Sequence, residues 1–376
     1  MASPKTAVSI ASPSHTTAAA PGTSKFWDWR GQKIRYVAHG EDERPDGPVV
    51  LFVHGLFVNA DHWKKNLQVV ATEAGCRTFG IDLLGNGYSS KPPPGSAEAR
   101  ALSGEIGRPE VAAGLRGVTL GTSAGGQRLG CDVALAHPLG SPYNFYTWAE
   151  QIADFAEQVA RPADGKVVIV ANSIGTISSL QVALDRPGLV DGVFVINPNF
   201  RELHVAESPG FVQPALRAVQ GWLRANGQGL FDALATPATV KSILKEPYAV
   251  KDAVTDELVE RLLTPLLEAG SADVVFDTLS YSSGPLPEQQ LADMQRAGGA
   301  GGVSCAVEVI FGAADPWTPG PRVKALRRLA AVRRVTGLEG VGHCPHDEAP
   351  GVVNPLVVDF VRRVAAARKE GASGAQ

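Results

Sequence analysis

The stretch KVVIVANSIGTISSLQVAL (166–184) decides the fold, because it passes from one secondary structure to another at a single residue. Its VVIV segment (167–170) is a continuous β-branched run, which is typical of a parallel strand buried on both faces. From Ile174 onward the apolar positions recur at helical spacing. No loop residues separate the two patterns, so Ser173 must make the turn between the strand and the helix.

Small residues flank this turn, with Ala171 and Gly175 two positions to either side of Ser173. Small-x-Ser-x-small between a strand and a helix predicts a nucleophile elbow, which exposes the serine hydroxyl above the sheet. The amide N–H of Ile174 then lies at a helix N-terminus and faces incoming negative charge. A serine that only caps the helix is the alternative on these residues alone.

Composition narrows the class of protein. The 376 residues are 44% hydrophobic, enough for a large core, and the net charge of −3 gives no reason to expect nucleic-acid binding. No run of about 18 apolar residues predicts a transmembrane helix. The cysteines form no CxxC pair, which predicts free thiols rather than disulfides or a zinc site. They are Cys76, Cys131, Cys305 and Cys344.

Residues 1–24 differ from the rest of the chain. They are rich in Ser, Thr, Ala and Pro, include Lys5 and contain no acidic residue. This composition cannot support a core, so we expect 1–24 to be disordered, and it is similar to that of an organelle transit peptide. A tail without function is the alternative, since transit peptides usually contain more arginine.

Strands and helices alternate along most of the chain, which favours a mostly parallel sheet with helices on both faces. KIRYVAHG (33–40) alternates like an early antiparallel strand. Further strands are predicted at 48–55, 77–87, 192–199, 305–315 and 333–343, and helices at 61–72, where Asn59 is the N-cap, at 145–160 and at 354–369.

Two segments interrupt this alternation. Residues 92–142 are dense in Gly, Ala and Pro, which predicts a flexible surface insertion. Residues 201–303 have apolar positions at helical spacing, which predicts a helical cap over the pocket. The core is therefore expected in two parts, 25–200 and 304–370.

A serine nucleophile needs a base to take its proton and a carboxylate to orient that base. Of the histidines downstream of Ser173, His343 lies in a glycine-flanked loop directly after a predicted strand, so we expect it to be the base. His204 falls in the first turn of the cap, where a solvated histidine or one that packs within the cap is expected. His346, at a helix start, is the alternative base.

Asp315 is expected to be the acid, because it is the first acidic residue after the strand that ends in VIFGAAD. The strand before it ends in INPN (196–199), which offers no carboxylate. A cap for the helix that begins near Pro319 is the alternative role of Asp315. The chain order Ser173, Asp315, His343, with each residue at a strand end, predicts a catalytic triad.

An oxyanion hole is expected between the elbow and the FVHGLF loop (52–57). Gly55 permits an unusual backbone there, so the N–H of Leu56 is predicted to be the second donor beside that of Ile174. His54, one residue earlier, is expected to be buried and structural.

These motifs resemble the α/β-hydrolase fold superfamily from residue 26 to the C-terminal helix, apart from 92–142. GIDLLGNGYSSKP (80–92), ANSIG (171–175), ADPW (314–317) and GHCPHDEAP (342–350) are similar to the chloroplast branch that contains pheophytinase and chlorophyll dephytylase. The resemblance implies an eight-stranded, mostly parallel sheet with a helical cap. It implies Ser173, Asp315 and His343 as nucleophile, acid and base, a chloroplast location, and hydrolysis of the phytyl ester of pheophytin or chlorophyll.

The chain departs from that branch at two positions. Ala171 stands where the family usually has glycine, and Phe57 stands where relatives often have a small residue, so a narrower pocket is expected. HGLFVNADHWKKN (54–66) also resembles epoxide hydrolases and haloalkane dehalogenases. Those enzymes attack with an aspartate, and Ser173 cannot form their alkyl ester.

We therefore expect a carboxylic ester hydrolase that acts through an acyl-enzyme, needs no metal or organic cofactor and takes a small-molecule apolar ester. Alternatives are a non-catalytic ligand-binding protein of this fold and a hydrolase of a thioester or a carbon–carbon bond. Peripheral contact with a membrane stays open, and the sequence does not indicate the oligomeric state. Residues expected to line the pocket, or else to form the core of the cap, are Phe57, Phe211, Leu216, Trp222, Leu230 and Phe231.

Overall fold

The computed structural model describes residues 24–102, 141–200, 213–280, 284–297 and 305–373. An eight-stranded sheet lies at its centre, in the order β1-β2-β4-β3-β5-β6-β7-β8. β1 pairs with β2, and β2 with β4, in antiparallel fashion, and all other neighbours are parallel. The strands are β1 Lys25–Trp29, β2 Gln32–His39, β3 Val49–Val53, β4 Arg77–Ile81, β5 Val167–Ser173, β6 Val190–Pro198, β7 Ala306–Gly312 and β8 Val332–Leu338.

The α-helices are numbered here in chain order. They are α1 Leu67–Ala74, α2 Ala97–Leu102, α3 Phe145–Phe155, α4 Ile174–Asp185, α5 Gln213–Leu234, α6 Pro237–Lys245, α7 Asp256–Leu266, α8 Ser271–Leu279, α9 Pro287–Ala297, α10 Gly320–Ala325, α11 Pro345–Glu348 and α12 Pro350–Ser373.

The predicted eight-stranded, mostly parallel sheet is confirmed, including the early antiparallel strand, which is β2. β1, Lys25–Trp29, is not among the predicted strands. This edge strand has the sequence KFWDW and keeps only Trp29 buried, so it lacks the apolar run that marks the central strands. Its pairing with β2 is what defines it as a strand.

The single helix predicted at 61–72 is wrong, because the segment forms two elements. A 3-10 turn at Ala60–Trp63 is capped by Asn59, whose side chain accepts from the Asp61 N–H, and α1 begins only at Leu67. Asn66, at the break, donates its side-chain amide to the His346 carbonyl at 3.0 Å. This tertiary contact is invisible in the local pattern. The helix predicted at 145–160 is confirmed as α3, which continues into a π-helical turn, Ala156–Ala160.

Alternate residues of the central strands pack against opposite faces of the sheet. Along β3, Leu51 and Val53 belong to the core cluster that includes Trp148 of α3 and Ile177 of α4. Val50 and Phe52, between and beside them, belong to the other cluster. Helices therefore cover both faces, as predicted, with α1 and α12 on the second face.

Several predicted segments fall partly or wholly outside the described residues. These are 1–23, within the proposed transit peptide, 103–140, within the predicted insertion, and 201–212, at the start of the predicted cap. Between β6 and β7, helices α5 to α9 lie where helices were expected. α9 packs on the core, since Gln290 donates to the carbonyl of Ile177 in α4 at 2.9 Å.

No helix among the described residues is long and apolar enough to cross a membrane. Three of the cysteines, Cys76, Cys305 and Cys344, are buried free thiols. Cys131 lies outside the described residues.

Candidate active site

Ser173 ends β5 and immediately precedes α4, so the predicted turn without a loop is present. Its backbone has φ 54° and ψ −123°, a region that L-residues avoid because of steric strain. Gly175 is required here, since a Cβ at that position would lie 2.4 Å from the carbonyl oxygen of His54. The turn therefore packs directly on the end of β3, which leaves Ser173 at the carboxyl edge of the sheet.

Backbone strain is concentrated around this edge. In the described part of the chain, non-glycine residues with positive φ are Arg30, Phe57, Arg161, Ser173 and Asn197. Three of these five, Phe57, Ser173 and Asn197, follow or end the adjacent strands β3, β5 and β6. Strained backbone of this kind persists where surrounding structure holds it, and it clusters at functional sites.

His343 and Asp315 form a buried pair. The imidazole Nδ1 of His343 lies 2.6 Å from Oδ2 of Asp315, and both side chains are shielded from solvent. Because an ionised carboxylate only accepts hydrogen bonds, Nδ1 carries the proton. The lone pair of a neutral imidazole in this tautomer is then on Nε2, where it is able to accept a proton.

The Asp315 carboxylate is held by partners beyond the histidine. Asn197, at the end of β6, donates its side-chain amide to Oδ2 of Asp315 and accepts the N–H of Gly312 at 3.2 Å. Asn197 is not among the predicted site residues, because INPN (196–199) contains no carboxylate. The polar residue at a strand end next to the expected acid was the available signal.

The alternative role for Asp315, capping the next helix, does not hold. Its Oδ1 accepts the N–H of Trp317 at 2.8 Å within the same tight turn, while α10 begins at Gly320 with Pro319 as its N-cap. The carboxylate is therefore directed to the His343 side of the turn.

Burial and hydrogen bonding have opposite effects on the pKa of Asp315. Burial works to raise this pKa, whereas the hydrogen bond and the charge of the His343 imidazole work to lower it. Further hydrogen bonds from Thr318 and the Trp317 amide act in the same direction, so the pKa of the Asp315 carboxyl lies below its ordinary value. A carboxylate that stays ionised in a buried site is suited to stabilise an imidazolium.

Ser173 and His343 line the same pocket, which has a volume of about 450 Å³. Its core wall consists of the loop after β3, the elbow and the His343 loop, and its opposite wall comes from α5 to α8, which we call the cap helices. The lining is mostly apolar. Cap-helix side chains in it include Leu234, Ile243, Leu262, Leu266, Phe276 and Leu279.

The residues predicted to line the pocket meet different outcomes. Phe57 and Phe231 are in the lining. The prediction that Trp222 lines the pocket is wrong. This residue of α5 is 62% exposed and is not among the residues that form the pocket wall. Leu230, also exposed, is likewise outside the wall, and Phe211 lies outside the described residues. Helical periodicity showed that α5 has an apolar stripe but not which neighbour covers it.

The two residues predicted to supply the oxyanion donors are both close to Ser173, one in the pocket lining and one next to it in the chain. Leu56 lines the pocket, and Ile174 is the first residue of α4, where the amide N–H has no partner within the helix. The loop and the elbow approach closely, since a Cβ on Gly55 would lie 3.2 Å from the Ser173 Cβ.

His54 is buried and anchored, in line with the structural role expected for it. Its Nε2 accepts the N–H of Leu83 at 3.0 Å, and its Nδ1 contacts the Gly55 carbonyl at 2.7 Å. Burial lowers the pKa of His54, so the ring stays neutral and holds the loop that carries Leu56.

His346, the alternative base, is not among the residues that line the pocket. It is fully buried, with Nε2 3.2 Å from Nδ1 of His62 and its ring centroid 4.1 Å from that of Trp63, at a tilt of 33°. His204 lies outside the described residues. Within the part of the chain that the structure describes, no group of three or more His, Cys, Asp or Glu side chains is arranged to hold a metal ion.

The sequence is similar to one protein family and to a relative within the plants. The model of the alpha/beta hydrolase family matches residues 50–356. The chain is 23% identical over 353 residues to a pheophytinase, described as chloroplastic, from Arabidopsis thaliana. That alignment covers 90% of this chain, and the chain spans only 66% of the relative's length.

Solved structures with the same architecture include two enzymes of different chemistry. The epoxide hydrolase CorEH, solved without ligand, gives a TM-score of 0.60 at 14% identity, over 90% of this chain and 98% of its own. A thermophilic esterase from Thermogutta terrifontis, with malate bound, gives 0.52 at 16% identity, over 89% and 94%. At these identities the likeness confirms the predicted fold and says nothing finer.

Proposed function

We propose that this chain, which belongs to the alpha/beta hydrolase family, hydrolyses a carboxylic ester through an acyl-enzyme on Ser173. The observation that supports this most directly is the buried His343–Asp315 pair, with 2.6 Å between Nδ1 and Oδ2, in the pocket that Ser173 lines. A serine, an imidazole and a carboxylate in this relation are the groups that acyl transfer needs.

Each group then has a defined role in the reaction. Ser173 attacks the ester carbonyl while His343 takes the hydroxyl proton on Nε2, and Asp315 stabilises the imidazolium through its hydrogen bond to Nδ1. The amides of Leu56 and Ile174 donate to the oxyanion of the tetrahedral intermediate. His343 next protonates the leaving alcohol, and water, activated by the same imidazole, releases the acid.

The chemistry of epoxide hydrolases and haloalkane dehalogenases is not proposed. A serine hydroxyl at the elbow cannot act as their attacking carboxylate, and the likeness to CorEH extends to the fold alone. The shared fold therefore does not imply a shared reaction, because the reaction depends on the side chain at the elbow.

A long apolar ester is the proposed substrate class, such as a phytyl, other isoprenoid or lipid ester. Support comes from the pocket, whose cap wall offers aliphatic and aromatic side chains such as Leu262 and Phe276. Its few polar lining residues include Ser173 and His343. The resemblance to a chloroplastic pheophytinase, at 23% identity, agrees with this choice.

A substrate panel tests the proposal. Initial rates are compared on p-nitrophenyl esters of increasing acyl length, on a phytyl ester and on acyl-thioesters, followed by product identification in thylakoid lipid and pigment extracts. We expect turnover that rises with the length of the apolar chain and disappears in Ser173→Ala. Faster thioester cleavage would change the bond assigned, and binding without turnover on any member would identify a ligand-binding protein.

A chloroplast location is also part of the proposal. It is supported by the composition of residues 1–24 and by the similarity to the Arabidopsis relative, which is a chloroplastic protein. Fusing residues 1–24 to a fluorescent protein in plant cells should direct it to chloroplasts, whereas diffuse fluorescence would remove this part.

A further inference from the structure

The loop that carries His343 is attached to a carboxylate five positions further along the chain. Glu348, at the end of α11, accepts the N–H of Gly342 at 3.0 Å on Oε2 and the N–H of Cys344 at 3.1 Å on Oε1. The two amides flank His343 on either side. The side chain of Glu348 thus fixes the backbone of the residue proposed to be the base, without belonging to the pocket lining.

The same carboxylate also binds the segment 247–250, which lies between α6 and α7. The N–H groups of Ala249 and Val250 donate to Oε2 of Glu348 at 2.8 and 2.9 Å. In return, the N–H of His343 donates to the carbonyl of Pro247 at 2.8 Å. Four amides from two segments therefore converge on one carboxylate.

The two segments are in direct contact at this point. A Cβ on Gly342 would lie 2.3 Å from the Pro247 carbonyl oxygen and 2.5 Å from the Ala249 nitrogen. Packing this close leaves no room for water between the segments. The N–H groups of Gly342 and Cys344 are buried polar groups that need an acceptor, and the Glu348 carboxylate supplies it, while its contacts with the N–H groups of Ala249 and Val250 are partly buried.

Other contacts hold the same region independently of Glu348. Asn172, next to the nucleophile, donates to the His343 carbonyl at 3.2 Å from the core side. On the cap side, the Tyr248 hydroxyl donates to Asp347 Oδ2 at 3.2 Å and lies 2.8 Å from Nε2 of His62. The fold of this region therefore has anchors that survive the loss of Glu348.

We propose that Glu348 is a positioning residue, which holds the His343 imidazole in line with Asp315 and the Ser173 hydroxyl by joining the His343 loop to the segment 247–250. Naming His343 as the base that benefits rests on the proposed function. The position of the imidazole itself does not, and it has its own measurement.

The variants are Glu348→Ala, Glu348→Gln and, as a matched control, Glu308→Ala. Glu308 has the same side chain and similar exposure, 7% against 9% for Glu348, but it pairs with Arg363 at 2.8 Å from the interior of β7. Loss of a buried glutamate is thus common to both alanine variants, and only one of them lies beside the His343 loop. Glutamine keeps one acceptor oxygen but turns an NH₂ group toward an N–H donor, so it should be intermediate.

Steady-state rates are measured well below each variant's melting temperature. Glu348→Ala should lower kcat about 10- to 100-fold with KM within threefold, as expected when a reacting group is displaced by about 1 Å. Glu348→Gln should lose about three- to tenfold. Glu308→Ala should lower the melting temperature and leave kcat unchanged.

A second readout is independent of turnover. The Nδ1 proton of His343, hydrogen-bonded to Asp315, gives a downfield NMR signal that is assigned by its loss in His343→Gln. We expect the signal to be lost or broadened in Glu348→Ala, weakened in Glu348→Gln and retained in Glu308→Ala. If wild-type protein shows no ester hydrolysis and the signal behaves in this way, the proposed function fails and the positioning role stands.

The positioning role is overturned by a retained signal in both Glu348 variants, or by kcat within threefold of wild type beside a lowered melting temperature. Should Glu348→Ala not fold, Glu348→Gln decides the question by the same two measurements.

Discussion

The two walls of the pocket are built in different ways. On the core wall, Ser173 and His343 are each 5% exposed, and their positions are set by strained backbone and directed hydrogen bonds. On the cap wall, Ile243 and Leu279 are each 51% exposed and contribute apolar surface only. The difference separates two tasks: acyl transfer needs atoms fixed to a fraction of an ångström, whereas an apolar chain is recognised by area with little demand on geometry.

Ser173, the proposed nucleophile, should show the largest effect on the core side. Ser173→Ala removes one oxygen and keeps the Cβ, so we expect kcat to fall about 10⁵-fold while the melting temperature changes by a few degrees at most. Initial rates and thermal melts on the same preparation check both parts. Activity within tenfold of wild type would end the assignment.

The carboxylate behind the imidazole should come next. Asp315→Asn keeps the size of the side chain but loses the charge that selects the Nδ1–H tautomer and stabilises the imidazolium, so kcat should fall about 10³- to 10⁴-fold. Asp185→Asn, at the far end of α4 from the elbow, is the control and should stay within twofold. Similar losses in both variants would point to a general structural effect.

Buried histidines beside the pocket should make the protein sensitive to acid. Burial lowers the pKa of His62 from 6.5 to about 4, so the unfolded chain takes up a proton in that interval that the folded chain does not. Stability therefore falls as the pH drops from 6.5 toward 4, by about 3 kcal/mol for this group. His346, whose pKa burial also lowers, and Asp315, whose pKa is depressed, add losses of the same sign.

Urea denaturation at pH 7 and at about pH 4.5 measures this loss in wild type and in His62→Gln. Glutamine is able to donate to Tyr248 in place of the imidazole and does not titrate. The variant should therefore lose less stability between the two pH values than wild type. An equal loss in both proteins would show that His62 is already charged in the folded state or does not contribute.

The cap wall should give the smallest effects. Ile243→Ala and Leu279→Ala each remove part of a half-exposed apolar contact, so KM for a long-chain ester should rise about three- to tenfold, near 1 kcal/mol, while a two-carbon acyl ester is unaffected. Trp222→Ala, on α5 but outside the pocket wall, should leave both esters unchanged. Loss of kcat in the cap variants would contradict the division of tasks between the walls.

Local patterns were enough to predict the core wall. The strand that ends at Ser173 and the helix that begins at Ile174 are visible within the same twenty residues, and Asp315 and His343 each follow a strand run. Parallel strands bring their carboxyl ends to one edge, which is why residues so far apart in the chain are expected there. In the structure Asp315 contacts His343, and His343 lines the same pocket as Ser173.

Contacts between distant segments could not be predicted from local sequence patterns. The bond from Asn197 to Asp315 joins residues 118 positions apart, and the bonds of Glu348 depend on the close packing of the segment 247–250. Periodicity predicted that α5 has an apolar stripe, yet Trp222 on it is exposed. Which neighbour covers an apolar stripe depends on tertiary structure. The same holds for β1, which is a strand because it pairs with β2.

Covalent labelling tests the central claim most directly. Wild-type protein is treated with a fluorophosphonate, which reacts with activated serines, and the modified peptide is identified by mass spectrometry. The account predicts a single adduct on Ser173, formed far more slowly in Asp315→Asn. Folded wild-type protein that leaves Ser173 unmodified, or that carries the adduct on another serine, would contradict it.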